Sequence, residues 1–256
     1  MGIKRWQITN LGDFPPRGLG EQIMSLELAV IMPVFNEEAS IRRVVSEWFA
    51  ELESQLENFI LIVLNDGSRD ETLDQLKEME REKGCRLLIV DQVNIGHGRT
   101  CLKGYQMAIE LGAKWILQID SDGQCDPLYF SRFWRERHHN DLIFGRRTQR
   151  EDGLRRIFVS VVLKWLLLLL YHVNCIDPNV PYRLMRAEVI RPILPHIQGV
   201  DLANIALSIF LQQRNNLRAG VVDISFRARY GGEPTVGLLQ FAAKAAELKK
   251  QLDRIM

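Results

Sequence analysis

The chain has 256 residues, and its 33 lysines and arginines stand against 32 aspartates and glutamates, a formal net charge of +1. That balance creates no global field for nucleic acid, so no nucleic-acid partner is expected. Hydrophobic residues at 46% and charged residues at 25% exclude wholesale disorder, and the length suits one large domain with or without an appendage.

Residues 1–26 carry Pro15, Pro16, Gly18 and Gly20 without periodicity and read as an N-terminal extension. No apolar segment follows Met1 to Trp6, so no signal peptide is expected and the cytoplasm is the default address. Cys85, Cys101, Cys125 and Cys175 form no CxxC pair, which points to reduced thiols and away from a zinc site. The first strand is expected over 28–32, a β-branched apolar run stopped by Pro33, which lacks the ladder N–H. A helix should follow over 38–57, with Ile41, Val44, Val45, Trp48 and Phe49 on one face. Strands are expected at 59–64, 86–91 and 114–119, and helices at 72–82 and near 100–111.

Buried strands alternating with amphipathic helices imply an α/β fold with a mostly parallel sheet and helices on both faces. Ligands on such sheets bind outside the carboxyl ends of the strands. Here those ends carry Asn36 and Glu37, then Asn65 and Asp66, then Asn94 and Gly96, then Asp120 and Asp122. The second half departs from this rhythm. A fifth strand is expected at 141–144, followed by Arg146, Arg147, Arg150, Arg155 and Arg156. The apolar run 157–173 is too short and interrupted to span a membrane, so it reads as a core helix or one lying in a membrane interface. Residues 221–226 alternate like an edge strand. Residues 236–255 read as an amphipathic helix whose polar side carries Lys244, Lys249, Lys250 and Arg254. Such a helix could pack on the protein, pair two copies, or lie on an anionic membrane surface.

Asp120-Ser121-Asp122-Gly123-Gln124 is the strongest chemical signal. Two carboxylates two residues apart at a strand end can face one hard divalent cation, Mg²⁺ or Mn²⁺, and such a cation commonly serves a polyphosphate. A solvated turn is the plain alternative. Pro33-Val34-Phe35-Asn36-Glu37 places an aromatic ring and a carboxylate where a nucleotide base could meet them. Asp66 could accept from a base N–H, and Gly67 permits a tight turn beside it. A helix cap near Asn36 and a local turn at Asp66 are the corresponding plain readings. His97, between Gly96 and Gly98, is read as incidental.

Together these motifs resemble glycosyltransferase family 2, the inverting nucleotide-sugar transferases of the GT-A fold, and within it the dolichol- and polyprenyl-phosphate sugar synthases. The resemblance runs from about Leu28 to Glu233. It implies a GT-A domain over 27–233, with a Rossmann-like nucleotide-binding half and an α-rich C-terminal part, flanked by an extension (1–26) and an amphipathic helix (234–256). It implies that Pro33, Phe35, Glu37 and Asp66, with Asn65 and Gly96 nearby, contact a UDP-, GDP- or dTDP-sugar donor. Asp120, Asp122 and Gln124 would hold Mg²⁺ or Mn²⁺ and the diphosphate. Gly145 and Arg147 resemble the family's Gly-Ser-Arg element, Arg156 and Ser160 its Arg-xxx-Ser helix start, and Asp177 and Arg183 its Asp-xxx-Gly-Phe-Arg element.

The acceptor is expected to be a polyprenyl phosphate, since clustered arginines suit a phosphate. A glycan hydroxyl is the alternative, and it would need Asp177 or Asp201 as general base. The chain departs from the family at Asn65, Thr100 and Pro181, and Pro234-Thr235 replaces the usual Ser-Lys. The expected setting is the cytoplasm, with peripheral contact to the membrane face. A non-catalytic nucleotide-binding relative is the remaining reading, against which the intact Asp pair argues.

Overall fold

The computed structural model describes residues 26–149, 180–212, 214, 216–230, 250–251 and 253. Arg150, Arg155, Arg156, Ser160, Cys175, Asp177, the expected helix 157–173 and most of the last helix lie outside the described residues.

The strands are β1 (Leu28–Val34), β2 (Phe59–Asp66), β3 (Leu87–Gln92), β4 (Trp115–Gln118), β5 (Leu142–Gln149), β6 (Arg183–Arg186) and β7 (Ala219–Ser225). They form one sheet in the order β3-β2-β1-β4-β6-β5-β7. β1 to β4 pair in parallel, β6 runs antiparallel to both β4 and β5, and β7 pairs parallel to β5. The carboxyl ends of six strands therefore share one edge of the sheet, together with Arg183 at the amino end of β6. The expected edge strand is β7.

The helices follow from strand alternation. Ala29 and Ile31 of β1 join a core with Cys101, Tyr105 and Ala108 of α3 (His97–Glu110) and with Ile205 and Ile209 of α6 (Ala203–Gln212). Leu28, Val30 and Met32 face the other way, onto Val44, Trp48 and Phe49 of α1 (Ile41–Gln55), Leu76 of α2 (Thr72–Lys83) and Phe133 of α4 (Phe130–Glu136). A short α5 (Ala187–Ile190) follows β6. The period-two pattern of β1 thus buries both faces of the sheet, as a parallel sheet requires.

One boundary differs for a clear reason. β1 continues through Pro33, which registers with Leu64, to Val34. Ile31 O accepts from Ile119 N at 3.1 Å, so Ile31 faces the β4 side, and Pro33 two residues later faces that side too. β4 pairs with β1 only as far as Ile31 opposite Gln118. The N–H that proline lacks therefore costs no ladder bond. The fifth strand is longer than expected, running on to Gln149. α3 starts at His97, three residues before the expected helix, because Gly96 takes φ 91° at its cap.

Candidate active site

The strand ends after β1, β2 and β3 form one stapled unit. Phe35 is exposed, whereas Glu37 is buried. Glu37 N donates to Thr72 Oγ1 at 2.8 Å, and Asn36, at φ 53°, links to the next loop through Ser68 Oγ and Arg69 N. Asp70 accepts from Glu38 N at 3.2 Å and Thr72 N at 3.1 Å. Burial pushes the Asp70 carboxyl up, but the Thr72 side chain, and then backbone donors of Thr72 and Glu38, hold it below its ordinary range. Asn36 is thus a cross-loop bridge and not a helix cap.

Asp66 organises the other side of this unit. Its Oδ1 accepts from Gln92 Nε2 at 2.9 Å and Ile95 N at 2.8 Å, and its Oδ2 accepts from Gly96 N at 3.0 Å. Both oxygens thus bind the protein's own third loop. Gln92 Nε2 also reaches Thr100 Oγ1 at 2.9 Å, which gives that buried hydroxyl its partner. Asn65 is fully buried and donates to Asp91 Oδ1 at 2.8 Å. Gly67 takes φ 74°, and a Cβ there would sit 2.7 Å from Asn94 N. Here glycine admits the neighbouring loop's backbone.

The end of β4 has a different character. Asp120 Oδ1 is inaccessible to solvent and has no hydrogen-bond partner. Asp122 Oδ1 accepts from Gln124 N at 3.0 Å in a local turn. Burial, and then the charge of Asp120, push the Asp122 carboxyl up to about 6. Among the described residues no three His, Cys, Asp or Glu side chains form a metal cage. Two carboxylates and a glutamine still fit Mg²⁺ or Mn²⁺, since such ions take one or two carboxylates and fill the remaining positions with water and phosphate oxygens. An unpartnered buried carboxylate oxygen beside a second carboxylate is the donor set that a cation would satisfy.

The segment after β7 covers this turn. Arg227 N donates to Gln124 O at 3.1 Å and Tyr230 N to Asp122 O at 3.2 Å. Gly123, at φ 80°, lies against the Tyr230 ring, where a Cβ would come within 2.4 Å. Arg227 is anchored by Glu47 at 2.7 Å and Asp126 at 2.5 Å. Arg229 Nη2 reaches Glu37 Oε1 at 2.9 Å and so ties the two halves of the crevice together. Sequence reading gave no role to Thr72, Ser68, Gln92 or Arg229.

The remaining expected residues are placed as follows. Pro33 is buried within β1. Arg147, at the end of β5, has its guanidinium 5.4 Å from the centre of the Phe226 ring. Arg146 points the other way and makes a two-pronged pair with Asp223 of β7, at 2.5 and 2.9 Å, so it leaves the expected arginine cluster. Asp201 pairs with Arg99 at 2.9 Å and accepts from Gln251 Nε2 at 3.0 Å, which makes it a clamp between α3 and the C-terminal residues. Fully buried Arg183 donates to Val180 O at 2.9 and 2.7 Å and to Asn204 O at 3.2 Å. His97 stands 3.8 Å from Asp120 Oδ1. Cys101, and to a lesser degree Asp120 and Asp66, raise its pKa.

Residues 29–191 match the family model described as glycosyl transferase family 2. The chain is 33% identical over 154 residues to the dodecaprenyl-phosphate galacturonate synthase of Rhizobium johnstonii, covering 59% of this chain and 44% of that protein. It is 23% identical over 214 residues to the undecaprenyl-phosphate 4-deoxy-4-formamido-L-arabinose transferase of Shewanella sediminis, covering 83% and 62%. The chain spans about half the length of the curated relatives it matches. A crystal structure of Mycobacterium tuberculosis glucosyl-3-phosphoglycerate synthase, in complex with Mn²⁺, UDP and phosphoglyceric acid, superposes with a TM-score of 0.66. The match has 19% identity and covers 90% of this chain and 78% of that one. The α/β fold expected from the sequence, GT-A-like with a mostly parallel sheet, is the fold found.

Proposed function

Because the chain belongs to glycosyltransferase family 2, we propose that it moves a monosaccharide from a nucleotide sugar to a polyprenyl phosphate, with inversion at the anomeric carbon. The carrying observation is the Asp120/Asp122 turn at the strand-end crevice, with one carboxylate oxygen buried and unpartnered. The polyprenyl-phosphate sugar synthases among its relatives support the acceptor.

In this reading Phe35 lies open to stack on the base, and the stapled loops around Asp66 and Glu37 shape the nucleotide pocket. Asp120, Asp122 and Gln124 would hold Mg²⁺ or Mn²⁺, which when bound supplies Lewis-acid neutralisation of the diphosphate. Arg147 would stand beside the same phosphates. An acceptor phosphate oxygen attacks C1 as the bond from C1 to the diphosphate oxygen breaks, and the electron pair leaves with the nucleoside diphosphate. A phosphate acceptor is already anionic and needs positioning, not deprotonation. Arg156 is assigned to that acceptor phosphate by family resemblance. Asp201 is not carried forward as a base, because Arg99 and Gln251 occupy its carboxylate.

Among the described residues no helix is long and apolar enough to cross a membrane. We assign contact with a lipid acceptor to the cytoplasmic membrane face, through the apolar run 157–173 and the basic stretch 236–255. One sequence feature favours a second reading. Pro234-Thr235 stands where the family has Ser-Lys, and loss of that lysine suits a glycan hydroxyl acceptor.

The test incubates UDP-, GDP- and dTDP-sugars with a short polyprenyl phosphate and Mn²⁺ or Mg²⁺. Sugar should appear on the lipid phosphate, and Asp122→Ala should lower the rate by at least about 100-fold. Sugar on a glycan hydroxyl would select the second reading. No turnover with any donor class would sink both.

A further inference from the structure

His97 opens α3 with its side chain 56% exposed, and its Nε2 lies 3.8 Å from Asp120 Oδ1 and 3.6 Å from Cys101 Sγ. Its backbone is fixed. At the next residue, Gly98, a Cβ would fall 1.9 Å from Asp201 O, so the start of α3 is pressed against the backbone that leads into α6. Asp120 is held as well, because Ile119 N donates to Ile31 O in β1. Ile116, Gln118 and Asp120 alternate onto the face of the sheet that α3 covers. On that face Tyr105 Oη donates to buried Gln118 Oε1, and Gln118 Nε2 reaches Cys101 Sγ at 3.6 Å. Tyr105 Oη also lies 3.4 Å from Asn204 Oδ1 of α6. A side-chain chain thus runs from the core, through Tyr105, Gln118 and Cys101, to His97 and the carboxylate.

From this geometry we propose that His97 is a positioning residue for Asp120, its imidazole packed against the carboxylate that binds the cation while Cys101 Sγ, on the same Nε2, holds the ring in place. The inference rests on the cation site proposed above. At 3.8 Å the two groups are at ion-pair distance and not at hydrogen-bond distance, so the ring acts through contact and its N–H dipole. Outer groups that orient a metal ligand commonly contribute 10–100-fold to metal affinity.

The experiment counts free Mn²⁺ by electron paramagnetic resonance, with UDP present, for the wild type, His97→Leu and His97→Gln. His97→Leu should bind Mn²⁺ about 10-fold more weakly, with melting unchanged because the side chain is half in solvent. His97→Gln, which restores an N–H donor, should return to within about threefold of the wild type. Wild-type affinity in His97→Leu overturns the proposal, as does His97→Gln binding as weakly as His97→Leu. A wild type that binds no Mn²⁺ removes the cation site itself, an outcome distinct from either.

Discussion

Two carboxylates at the strand ends on either side of β1 have opposite surroundings. Asp66, at the end of β2, receives three hydrogen bonds from the end of β3 and the loop after it, whereas Asp120, after β4, has an oxygen that receives none. Around Asp66 the protein closes its own polar bonds, and the pocket walls stand preformed. Around Asp120 and Asp122 it leaves charge facing charge in a partly buried turn, which is a cost to the ligand-free protein. The Asp66 side of the crevice is therefore a closed scaffold, and the Asp120 side leaves polar bonds open.

The largest expected effect tests that contrast directly. Asp66→Ala leaves Ile95 N and Gly96 N without their acceptor and Gln92 Nε2 with Thr100 Oγ1 alone, and should destabilise the protein by about 2–4 kcal/mol in urea unfolding. Asp120→Ala, at the open side, removes a buried unpartnered carboxylate and its repulsion of Asp122, so it should leave stability unchanged or raised while abolishing turnover. Equal losses in the two variants would erase the distinction between the halves.

Next in size is a pH effect from Asp122. Its folded pKa of about 6 lies above the ordinary 3.8, so its stabilising contribution is full below pH 3.8 and is lost as pH rises through 6. Chelator-treated protein should therefore lose about 1–3 kcal/mol of stability from this group between pH 4 and pH 7. Asp122→Asn should flatten that loss, and millimolar Mn²⁺ should reverse it in the wild type. An unchanged pH profile in Asp122→Asn would show that the turn is solvated after all.

Much of the scaffold is readable from the chain because β1, β2 and β4 are continuous apolar runs punctuated by Asn, Asp and Gly. β6 escapes such reading, since Arg-Leu-Met-Arg has charge at both ends and becomes a strand only between β4 and β5. α6 escapes for the opposite reason: 203–212 is apolar nearly all round and shows no amphipathic stripe, because it is buried on most sides. At the site, the motifs locate the carboxylates but not their bonding state. The donors to Asp66 lie 26 to 30 residues away, and the Arg229–Glu37 link joins positions 192 apart. Thr100, visible in the sequence only as a departure from the family, is explained once Gln92 is seen between it and Asp66.

Arg229 is the side chain that spans both regions. Arg229→Gln should cost about 1–2 kcal/mol, because Glu37 is buried and keeps only Ser40 Oγ on its other oxygen. A double-mutant cycle with Glu37→Gln, read by urea unfolding, should return a coupling energy above about 0.5 kcal/mol. Simple additivity would mean that the two halves of the crevice are independent.

The smallest expected effect is a control at the opposite edge of the sheet, where Asp141 precedes β5. Its carboxylate is bonded by Arg218 at 3.1 and 3.2 Å and paired with Arg186 at 3.2 Å. Hydrogen bonds from Arg218 hold its pKa below the ordinary 3.8, with Arg186 adding to the effect. The sign is opposite to that at Asp122: the stabilisation is present above pH 3.8 and disappears as pH falls through the depressed value. Arg218 is 60% exposed, so screening keeps the contribution within about 1 kcal/mol. Asp141→Asn should therefore remove a small acid-side loss and leave the pH 4–7 slope of chelator-treated protein untouched. If that slope moved as well, it would belong to the net charge of the molecule and not to the crowded carboxylates after β4.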